Sequence, residues 1–439
     1  PPRRARSPLA LYHTIVDSHY QGENYSAAEY HGAGFNTLHF WPALPLKEQV
    51  AYAEANGFQA IPQIGTSANA SEMSAMVAPF ASSDSVLGWF LAEEPTGSKA
   101  CFVPGGGGPV AATCTTAWSD YLATKQGIKA VDTTHAIFNL DCAWADKDNA
   151  GNDPTEWWRK WNSDADLSVH DNYPFPGCNP SDDEYRYGWS TLARKQGITD
   201  TVPLAVNITD EKKPVWLTIQ AFAQPGGPNF WFACTCLTHH AAAERATLRR
   251  WTMPTEAQLR VQAYSAVVFG ASGIVYFALD SWVTRVGQVV GMGPRTPYMT
   301  SNQNGGGTPV NASQSDRRAS RLLWHAATRL NAELTALAPA ILSPTSDAMY
   351  TVAFSGNNMS ATPLRSVLKK DPTRGGLVLL AVNVDTGTVS GRFSFESSAV
   401  PAPAGSTVRV LFEGLGQGDA APGSERTVDV VKGGSGWSF

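Results

Sequence analysis

The sequence predicts an α/β protein, a (β/α)8 TIM barrel followed by a small antiparallel β-sandwich domain. The first observation is that eight short apolar segments alternate with helix-like segments over residues 1–340, which is typical of βα units around a parallel sheet. The second observation is that strand-like segments separated by turn residues fill residues 341–439. We therefore expect two domains, 1–340 and 341–439.

Each barrel strand is predicted by a short apolar run. In chain order the runs are LALYHTIV, FNTLHFW, FQAIPQI, VLGWFLA, THAIFNL, DLSVHDNY, PVWLTIQAF and GIVYFAL. Gly34 and Gly57 each stand directly before the Phe that opens a run, as expected where a helix ends in glycine and the chain enters the next strand. The longest connections follow the fourth, seventh and eighth runs, so we expect them at the C-terminal face, where barrel enzymes hold their active sites.

The helices between the strands and the strands of the second domain have their own patterns. Helices are predicted at KEQVAYAEANG, TAWSDYLATKQG, EAQLRVQAYSAVVFG and QSDRRASRLLWHAATRLNAELTAL. The β-sandwich is predicted from MYTVAFSGNN, LRSVLKKDPTRGGLVLLAVNVDTGTVSGRFSF, STVRVLFEG and RTVDVVKGGSGWSF.

The composition narrows the possible partners. With 43% hydrophobic and 16% charged residues, the chain is typical of an ordered globular protein. A formal net charge of −5 argues against a nucleic-acid-binding surface. No apolar run approaches the roughly 18 residues of a membrane-spanning helix. The sequence starts at Pro1 without an initiator Met or a signal-type apolar segment, so we expect a processed, soluble form.

Cysteines and glycosylation sequons predict a secreted glycoprotein. Cys101 and Cys114 flank the glycine-rich insert FVPGGGGPVAAT, which a disulfide between them would hold together. The other four cysteines would then pair Cys142 and Cys178 with Cys234 and Cys236. Five Asn-x-Ser/Thr sequons begin at Asn24, Asn69, Asn207, Asn311 and Asn358.

The fourth strand ends in two acids that are costly to bury without partners, in the segment GWFLAEEP. Here the chain resembles the clan-A glycoside hydrolases, TIM barrels that carry an acid/base Glu directly before a Pro at the end of the fourth strand. Glu94 and Pro95 stand at that position. The resemblance extends more loosely through DNYP, PVWLTIQAF and the terminal β-sandwich. It implies that Glu94 is the general acid and that an oligo- or polysaccharide is the substrate. Glu93 is either a further acid of the same catalytic site or an acid that lies on the surface or caps a helix.

Glycoside cleavage requires a second carboxylate, and the sequence differs from this family at the position where that carboxylate is expected. The resemblance implies a nucleophilic Glu at the end of the seventh strand, but Gln220 stands there, and an amide cannot serve as that nucleophile. Asp171, in SVHDNYPF, is the substitute, since a separation of roughly 6.5–9.5 Å from Glu94 would leave room for a water. Alternatively, Asp171 caps a turn before Pro174. Asp280, after the eighth strand, is the other candidate.

Aromatic and polar side chains at the predicted strand ends favour a sugar site, because flat sugar faces stack on aromatic rings. Any one of them could instead be a packing residue. The expected substrate-binding residues are Trp41, Trp144, Trp231, Trp282, His13, His39, Tyr173, Gln220 and Asp280.

These features predict a secreted glycoside hydrolase that acts on a cell-wall or extracellular polysaccharide. The alternative is a non-catalytic carbohydrate-binding or structural extracellular glycoprotein, with a cell-wall assembly as its partner. We expect no cofactor and no metal, because His239 and His240 lack a third ligand at metal spacing. The glycines at 105–108 lack the Lys and Ser/Thr of a phosphate-binding loop.

The cysteine pattern gives a testable prediction. We expect no free thiols, with Cys101 bonded to Cys114, because the bridge would remove about 3 kcal/mol of unfolded-chain entropy from this insert. Thiol titration under denaturing conditions checks it, with a reduced sample as control. Several titratable thiols before reduction would contradict both the bridge and secretion.

Overall fold

The structure is a computed structural model of the chain. It describes residues 8–14, 25–40, 44–93, 95, 110–142, 154–175, 197–210, 212–225, 249–284, 287–295, 298–301, 310–311, 313–346, 350–356, 364–373, 376–384, 389–396, 408–410, 426–428, 431–433 and 436–438.

Eight parallel strands form the central sheet of the larger compact unit, which spans Pro8–Thr328. Each predicted apolar run contributes one strand, so the predicted barrel order is confirmed. The strands are β1 Leu9–Thr14, β2 Thr37–Phe40, β3 Gln59–Ala60, β4 Gly88–Glu93, β5 Ala136–Cys142, β6 Leu167–Asn172, β7 Val215–Gln220 and, eighth in the barrel, β10 Gly273–Phe277.

The two ends of the strand row meet, which curls the sheet into a nearly closed barrel. Neighbouring strands follow the order β3-β2-β1-β10-β7-β6-β5-β4. Parallel bridges join Ala60 to Val86 and Gln63 to Phe90, across the gap between β3 and β4. The Phe90 N–H also donates to the Pro62 carbonyl at 3.0 Å. In this closed order β4 and β10 lie on opposite sides of the barrel.

Helices between the strands cover the outside of the barrel, as expected for βα units. They are α1 Ala27–Gly32, α2 Leu46–Asn56, α3 Ala70–Val77, a 3-10 turn Ala78–Phe80, α4 Val110–Lys129, α5 Pro154–Asp164, α6 Ile198–Ile208, α7 Glu256–Val268 and α8 Gln314–Ile341. Gly57 ends α2 in the left-handed region, with φ 72°, as its position before Phe58 predicts.

Two apolar clusters separate the inside of the barrel from its outside. Inward-facing side chains from six strands, and Ile61 directly after β3, form the inner cluster. Strands β4 and β5 pack against α2 to α5 in the outer cluster. The inner cluster consists of Ala10, Ile61, Phe90, Phe138, Leu140, Leu167, Val169, Trp216 and Val275. Gly273 allows the Trp216 ring to fill this space, because a Cβ there would lie 2.7 Å from the ring. The barrel is therefore solid below its mouth.

Short strands are built into the connections after β7 and β10, as an antiparallel pair after β7 and a mixed sheet, with β11 parallel to β13, after β10. The pair β8 Gln224–Pro225 and β9 Arg249–Trp251 follows β7. A four-stranded sheet follows β10, and it consists of β11 Ser281–Thr284, β12 Gly287–Val289, β13 Tyr298–Ser301 and β14 Val310–Asn311.

The second compact unit begins at Arg329, within helix α8, and extends to the end of the chain. Its described strands form small antiparallel sheets, as the turn-separated pattern predicts. They are β15 Tyr350–Gly356, β16 Leu364–Lys370, β17 Leu377–Asn383, β18 Val389–Glu396, β19 Val408–Val410, β20 Arg426–Val428, β21 Val431–Gly433 and β22 Gly436–Ser438. Among the described helices of the chain, none is long and apolar enough to cross a membrane.

Asp132 organises the end of the barrel opposite to the mouth, between α4 and β5. Its carboxylate accepts hydrogen bonds from the Trp89 indole at 2.7 Å, from the His135 ring at 2.7 Å and from the backbone N–H groups of Thr134 and His135 at 3.0 Å. Burial alone raises the pKa of Asp132, but these hydrogen bonds outweigh it and bring the pKa down to about 2.

We expect Asp132→Asn to destabilise the barrel by about 2–4 kcal/mol, because it leaves buried donors without a charged acceptor. Since the pKa of Asp132 is lower in the folded state, its stabilisation is complete above pH ~4 and is lost as the pH falls towards 2. Urea unfolding between pH 2.5 and pH 7 measures both effects.

Asp164→Asn is the matched control for this prediction. Asp164 accepts from Lys125 at 2.7 Å, but both side chains are partly exposed, so the change costs less than about 1 kcal/mol. Equal losses in the two variants would contradict the role assigned to Asp132.

Candidate functional site

A bulge in β4 turns Glu93 towards the inside of the barrel mouth. Phe90 belongs to the inner cluster, whereas Leu91 and Ala92 both pack against the outer cluster. The register with β5 shifts between Phe90 and Glu93, and Glu93 then pairs with the inward-facing Leu140. Paired residues of parallel strands share a face, so Glu93 is on the inward face at the end of the strand, with an exposed side chain.

Asp171 lies on the inward face near the end of β6. It pairs with Thr218 of β7, which in turn pairs with Val275 of the inner cluster. Asp171 is only 5% exposed. The structure therefore brings an acid from β4 and an acid from β6 to the same mouth.

Only strand β5 separates these two acids. Neighbouring strands are about 4.8 Å apart, so the two Cα atoms are roughly 10 Å apart across the sheet. They are offset along it by about 7 Å, because Glu93 pairs with Leu140 and Asp171 pairs with Cys142. Side chains that converge from this spacing are compatible with a carboxylate separation of roughly 6.5–9.5 Å.

Gln220 ends β7 with a fully buried side chain whose amide is bonded to backbone groups. Its Oε1 accepts from the Phe175 N–H at 3.0 Å. Its Nε2 donates to the Thr252 carbonyl at 2.7 Å and lies 3.4 Å from the carbonyls of Phe175 and Phe222. Gln220 therefore connects the segment after β6, the segment after β7 and the segment before α7.

These surroundings require an amide at position 220 rather than a carboxylate. A carboxylate would face carbonyl oxygens of three residues, Thr252, Phe175 and Phe222, with no proton to donate to them. The backbone of Gln220 is also fixed, since its N–H donates to Gln262 Oε1 at 2.8 Å. The geometry gives Gln220 a structural role within the described residues.

Four aromatic rings cluster at the mouth beside Gln220. Tyr173 lies 5.0 Å from Phe222, 5.8 Å from Trp251 and 5.7 Å from Phe277, measured between ring centroids. Phe222 is buried, whereas the other three are partly exposed. We call Tyr173, Trp251 and Phe277 the aromatic wall. Of these three residues, only Tyr173 is among the substrate-binding residues predicted from the sequence.

His170 directly precedes Asp171 in β6 but lies on the opposite face of the sheet. It packs on the outer side of the sheet, against the Trp158 ring at 5.6 Å, and its Nε2 lies 3.3 Å from Thr201 Oγ1. Complete burial lowers its pKa to about 3, so the ring is neutral at physiological pH.

The remaining candidates fall into three groups. His39 is buried inside the barrel against Phe90, at 5.4 Å between centroids, and Asp280 is 8% exposed after β10. The backbones of His13 and Trp282 are described, in β1 and β11, but their side chains are not. Glu94, Trp41, Trp144 and Trp231 lie outside the described residues.

The predicted disulfides and all five predicted glycosylation sites also remain predictions. Cys114 and Cys142 lie in α4 and β5 with side chains that are not described, and Cys101, Cys178, Cys234 and Cys236 lie outside the described residues. Asn69 and Asn207 are exposed; Asn311 is described by its backbone only, and Asn24 and Asn358 are not described. Within the described part of the chain, no group of three or more His, Cys, Asp or Glu side chains is placed to hold a metal ion.

Comparison with solved structures finds similar chain traces among glycoside hydrolases. A GH5_18 protein from Streptomyces cattleya, in complex with Manβ1-4GlcNAc, is 14% identical with a TM-score of 0.43, over 74% of this chain and 81% of that chain. Gan42B, a GH42 β-galactosidase from G. stearothermophilus, is 10% identical with a TM-score of 0.43. The match covers 73% of this chain and 55% of that chain.

A β-glucuronidase from Faecalibacterium prausnitzii is 13% identical with a TM-score of 0.36, over 64% of this chain. The match spans 44% of that enzyme, so this chain corresponds to less than half of its length. No protein-family model and no curated protein sequence matches the chain. The fold assignment rests on the strand order and register described above.

The Gln220 environment gives a testable prediction. We expect Gln220→Glu to destabilise the protein by about 2–4 kcal/mol at pH 7 and to create no new activity, because a buried carboxylate there faces carbonyl oxygens. Burial raises the pKa of such a carboxyl above its unfolded value of about 4.3, so the penalty disappears as the pH falls towards 4. Thermal unfolding between pH 4 and pH 8 measures it.

Gln258→Glu serves as the control in the same scans. Gln258 occupies the capping box of α7, where its Oε1 accepts from the Thr255 N–H at 2.8 Å. Glutamate fills this position equally well, so its stability should be unchanged. A Gln220→Glu protein as stable as the native chain at pH 7 would show that the amide is not required.

Proposed function

We propose that this barrel is a glycoside hydrolase that cleaves oligo- or polysaccharides with inversion of configuration. The observation that carries the proposal is the bulge in β4, which puts Glu93 on the inward face of the mouth that also holds Asp171. Two carboxyl groups on opposite sides of a glycosidic bond are the minimum that this reaction needs.

The proposed reaction uses the two acids in different protonation states. The β4 acid, Glu94 by resemblance or Glu93 by its inward register, donates a proton to the glycosidic oxygen as the bond to the anomeric carbon breaks. The Asp171 carboxylate takes a proton from a water, whose oxygen forms the new bond to that carbon from the opposite face. Proton transfers through bulk solvent then restore the starting states.

The structural role of Gln220 supports a mechanism without a strand-seven nucleophile. An inverting enzyme makes no covalent intermediate, so it needs no carboxylate at position 220. A retaining enzyme would need a second carboxylate roughly 5 Å from the acid, and the described end of β7 offers an amide bonded to the backbone.

We further propose that the protein is secreted and acts on a cell-wall or other extracellular polysaccharide. Six cysteines and five sequons support this, and Asn69 and Asn207 are exposed, as glycan attachment requires. Peptide mass mapping of protein from its native source, with and without glycosidase treatment, tests it.

The second candidate is a carbohydrate-binding barrel without catalysis. Gln220, in the place where the resembling family has a nucleophile, is the observation that favours it. This candidate would use the same aromatic wall, and it differs from the first in that no glycosidic bond is cleaved.

Charge-removing substitutions test the proposed acids. We expect Asp171→Asn, and either Glu94→Gln or Glu93→Gln, to lower kcat by about 100- to 10,000-fold, the usual share of general acid–base catalysis. Reducing-sugar release from a panel of plant, algal and fungal polysaccharides measures it, and NMR of the first product gives the anomeric configuration. Glu48→Gln, an exposed acid in the first turn of α2, is the control and should retain full activity.

Each outcome decides between specific alternatives. Net inversion with loss of activity in Asp171→Asn supports Asp171 as base, whereas net retention would eliminate it. If no polysaccharide of the panel is cleaved by the native chain while one binds, the non-catalytic candidate replaces the hydrolase.

A further inference from the structure

Thr218 lies beside Asp171 on the inward face of the barrel wall. The two residues are paired across strands β7 and β6, so their Cα atoms are about 4.8 Å apart. Trp216, two residues before Thr218 in β7, belongs to the inner apolar cluster, so alternation along the strand also directs Thr218 inwards. A hydroxyl group and the proposed catalytic base therefore lie on the same face of the sheet, at the same height.

The hydroxyl group of Thr218 is buried without a direct partner. The residue is 0% exposed, and its Oγ1 has no hydrogen-bond partner in the part of the chain that the structure describes. A hydroxyl group has one hydrogen to donate and two lone pairs that accept. Leaving it unbonded in the interior is unfavourable, and buried polar groups without a protein partner are typically bonded to an internal water.

The Asp171 carboxylate is the polar neighbour that such a water can also reach. Asp171 is 5% exposed and lies on the adjacent strand, whereas on its other side Thr218 pairs with the apolar Val275. Oγ1 does not bond the carboxylate directly. Two polar groups that face each other across more than about 3.5 Å can be bridged by one water that bonds to both.

Gln220 closes the space above Thr218. It is the next inward residue of β7, is 0% exposed, and has its amide bonded to the backbone of Phe175 and Thr252. A water between Thr218 and Asp171 therefore lies below the mouth, away from the side on which a sugar binds. It can hold the carboxylate, but it cannot be the water that attacks the sugar.

We propose that Thr218 is a positioning residue for Asp171, whose carboxylate it holds through one internal water. This inference rests on the proposed hydrolase function. The water donates one O–H to a carboxylate oxygen and the other to Thr218 Oγ1. The second carboxylate oxygen is then the one that takes a proton from the reactive water. The carboxylate is fixed in one orientation before the substrate binds, which lowers the entropy cost of the reaction.

Thr218→Val tests this role, because valine has nearly the same shape and lacks the hydroxyl group. On the polysaccharide of the panel that the native chain cleaves fastest, we expect kcat to fall about 10- to 100-fold and KM to change less than about threefold. The melting temperature should stay within about 2 °C of the native value, since the lost hydroxyl group has no direct protein partner. Thr218→Ser, which keeps the hydroxyl group, should retain kcat within about threefold.

Thr37→Val is the matched control. Thr37 is also 0% exposed and faces inwards, since it pairs with Ala10 of the inner cluster, but it is the first residue of β2, at the end opposite to the mouth. Its hydroxyl group donates to Asn36 Oδ1 at 2.8 Å. This variant should lose melting temperature and keep its kcat, the reverse of the pattern expected for Thr218→Val.

A double variant tests whether the two residues act as one unit. In the full chain carrying Asp171→Asn, adding Thr218→Val should lower the residual kcat by less than about twofold, because the carboxylate that Thr218 positions is already absent. A further loss of about 10-fold or more would show that Thr218 acts independently of Asp171, and would overturn the inference.

The outcomes separate this inference from the function on which it rests. A native chain that cleaves a polysaccharide while Thr218→Val keeps the native kcat overturns the positioning role and leaves the hydrolase in place. Equal losses of kcat in Thr218→Val and Thr218→Ser, or in Thr37→Val as well, also overturn it, because the hydroxyl group of Thr218 is then not responsible. Net retention eliminates Asp171 as base and Thr218 with it. If the native chain cleaves no polysaccharide of the panel, the hydrolase and the positioning residue are both overturned.

Discussion

The closed parallel barrel allows each strand side chain only two directions, into the barrel or out towards the helices. Below the mouth, the described inward-facing side chains, such as Trp216 and Phe138, pack against one another as an apolar cluster. Chemistry is therefore restricted to the last residues of each strand and to the segments that follow. Every other feature of the candidate site depends on which residues at those ends face inward.

A single extra residue in β4 decides that question for the acids. Without the bulge, strict alternation from the inward Phe90 would direct Glu93 outwards, against the apolar layer between the strands and α4, where a charge is costly. With the bulge, two successive residues face outwards and Glu93 is on the inward face. Asp171 and His170 show the same constraint without a bulge: the inward residue is the candidate base and the outward one is a neutral packing residue.

The strands could be predicted from the sequence because most of their residues are buried on both faces, which produces predominantly apolar runs. The same feature hides the bulge, since Leu91 and Ala92 read equally well on either face. Trp251 was missed because its place depends on pairing between β8 and β9, which are distant in sequence. Glu94 and the tryptophans at 41, 144 and 231 stay predictions, as they lie outside the described residues.

Gln220 illustrates why a residue type at a family position is not sufficient to judge activity. From the sequence it is a missing nucleophile, because its hydrogen-bond partners Phe175 and Thr252 are 45 and 32 residues away along the chain. In the fold, both ends of its amide are used by backbone groups, and a glutamate would be the less compatible residue. Gln220 by itself therefore does not decide between an inverting hydrolase and a carbohydrate-binding barrel. Whether the barrel cleaves sugars depends on the acids of β4 and β6. An inverting reaction requires such a pair of acids and needs no carboxylate from strand β7.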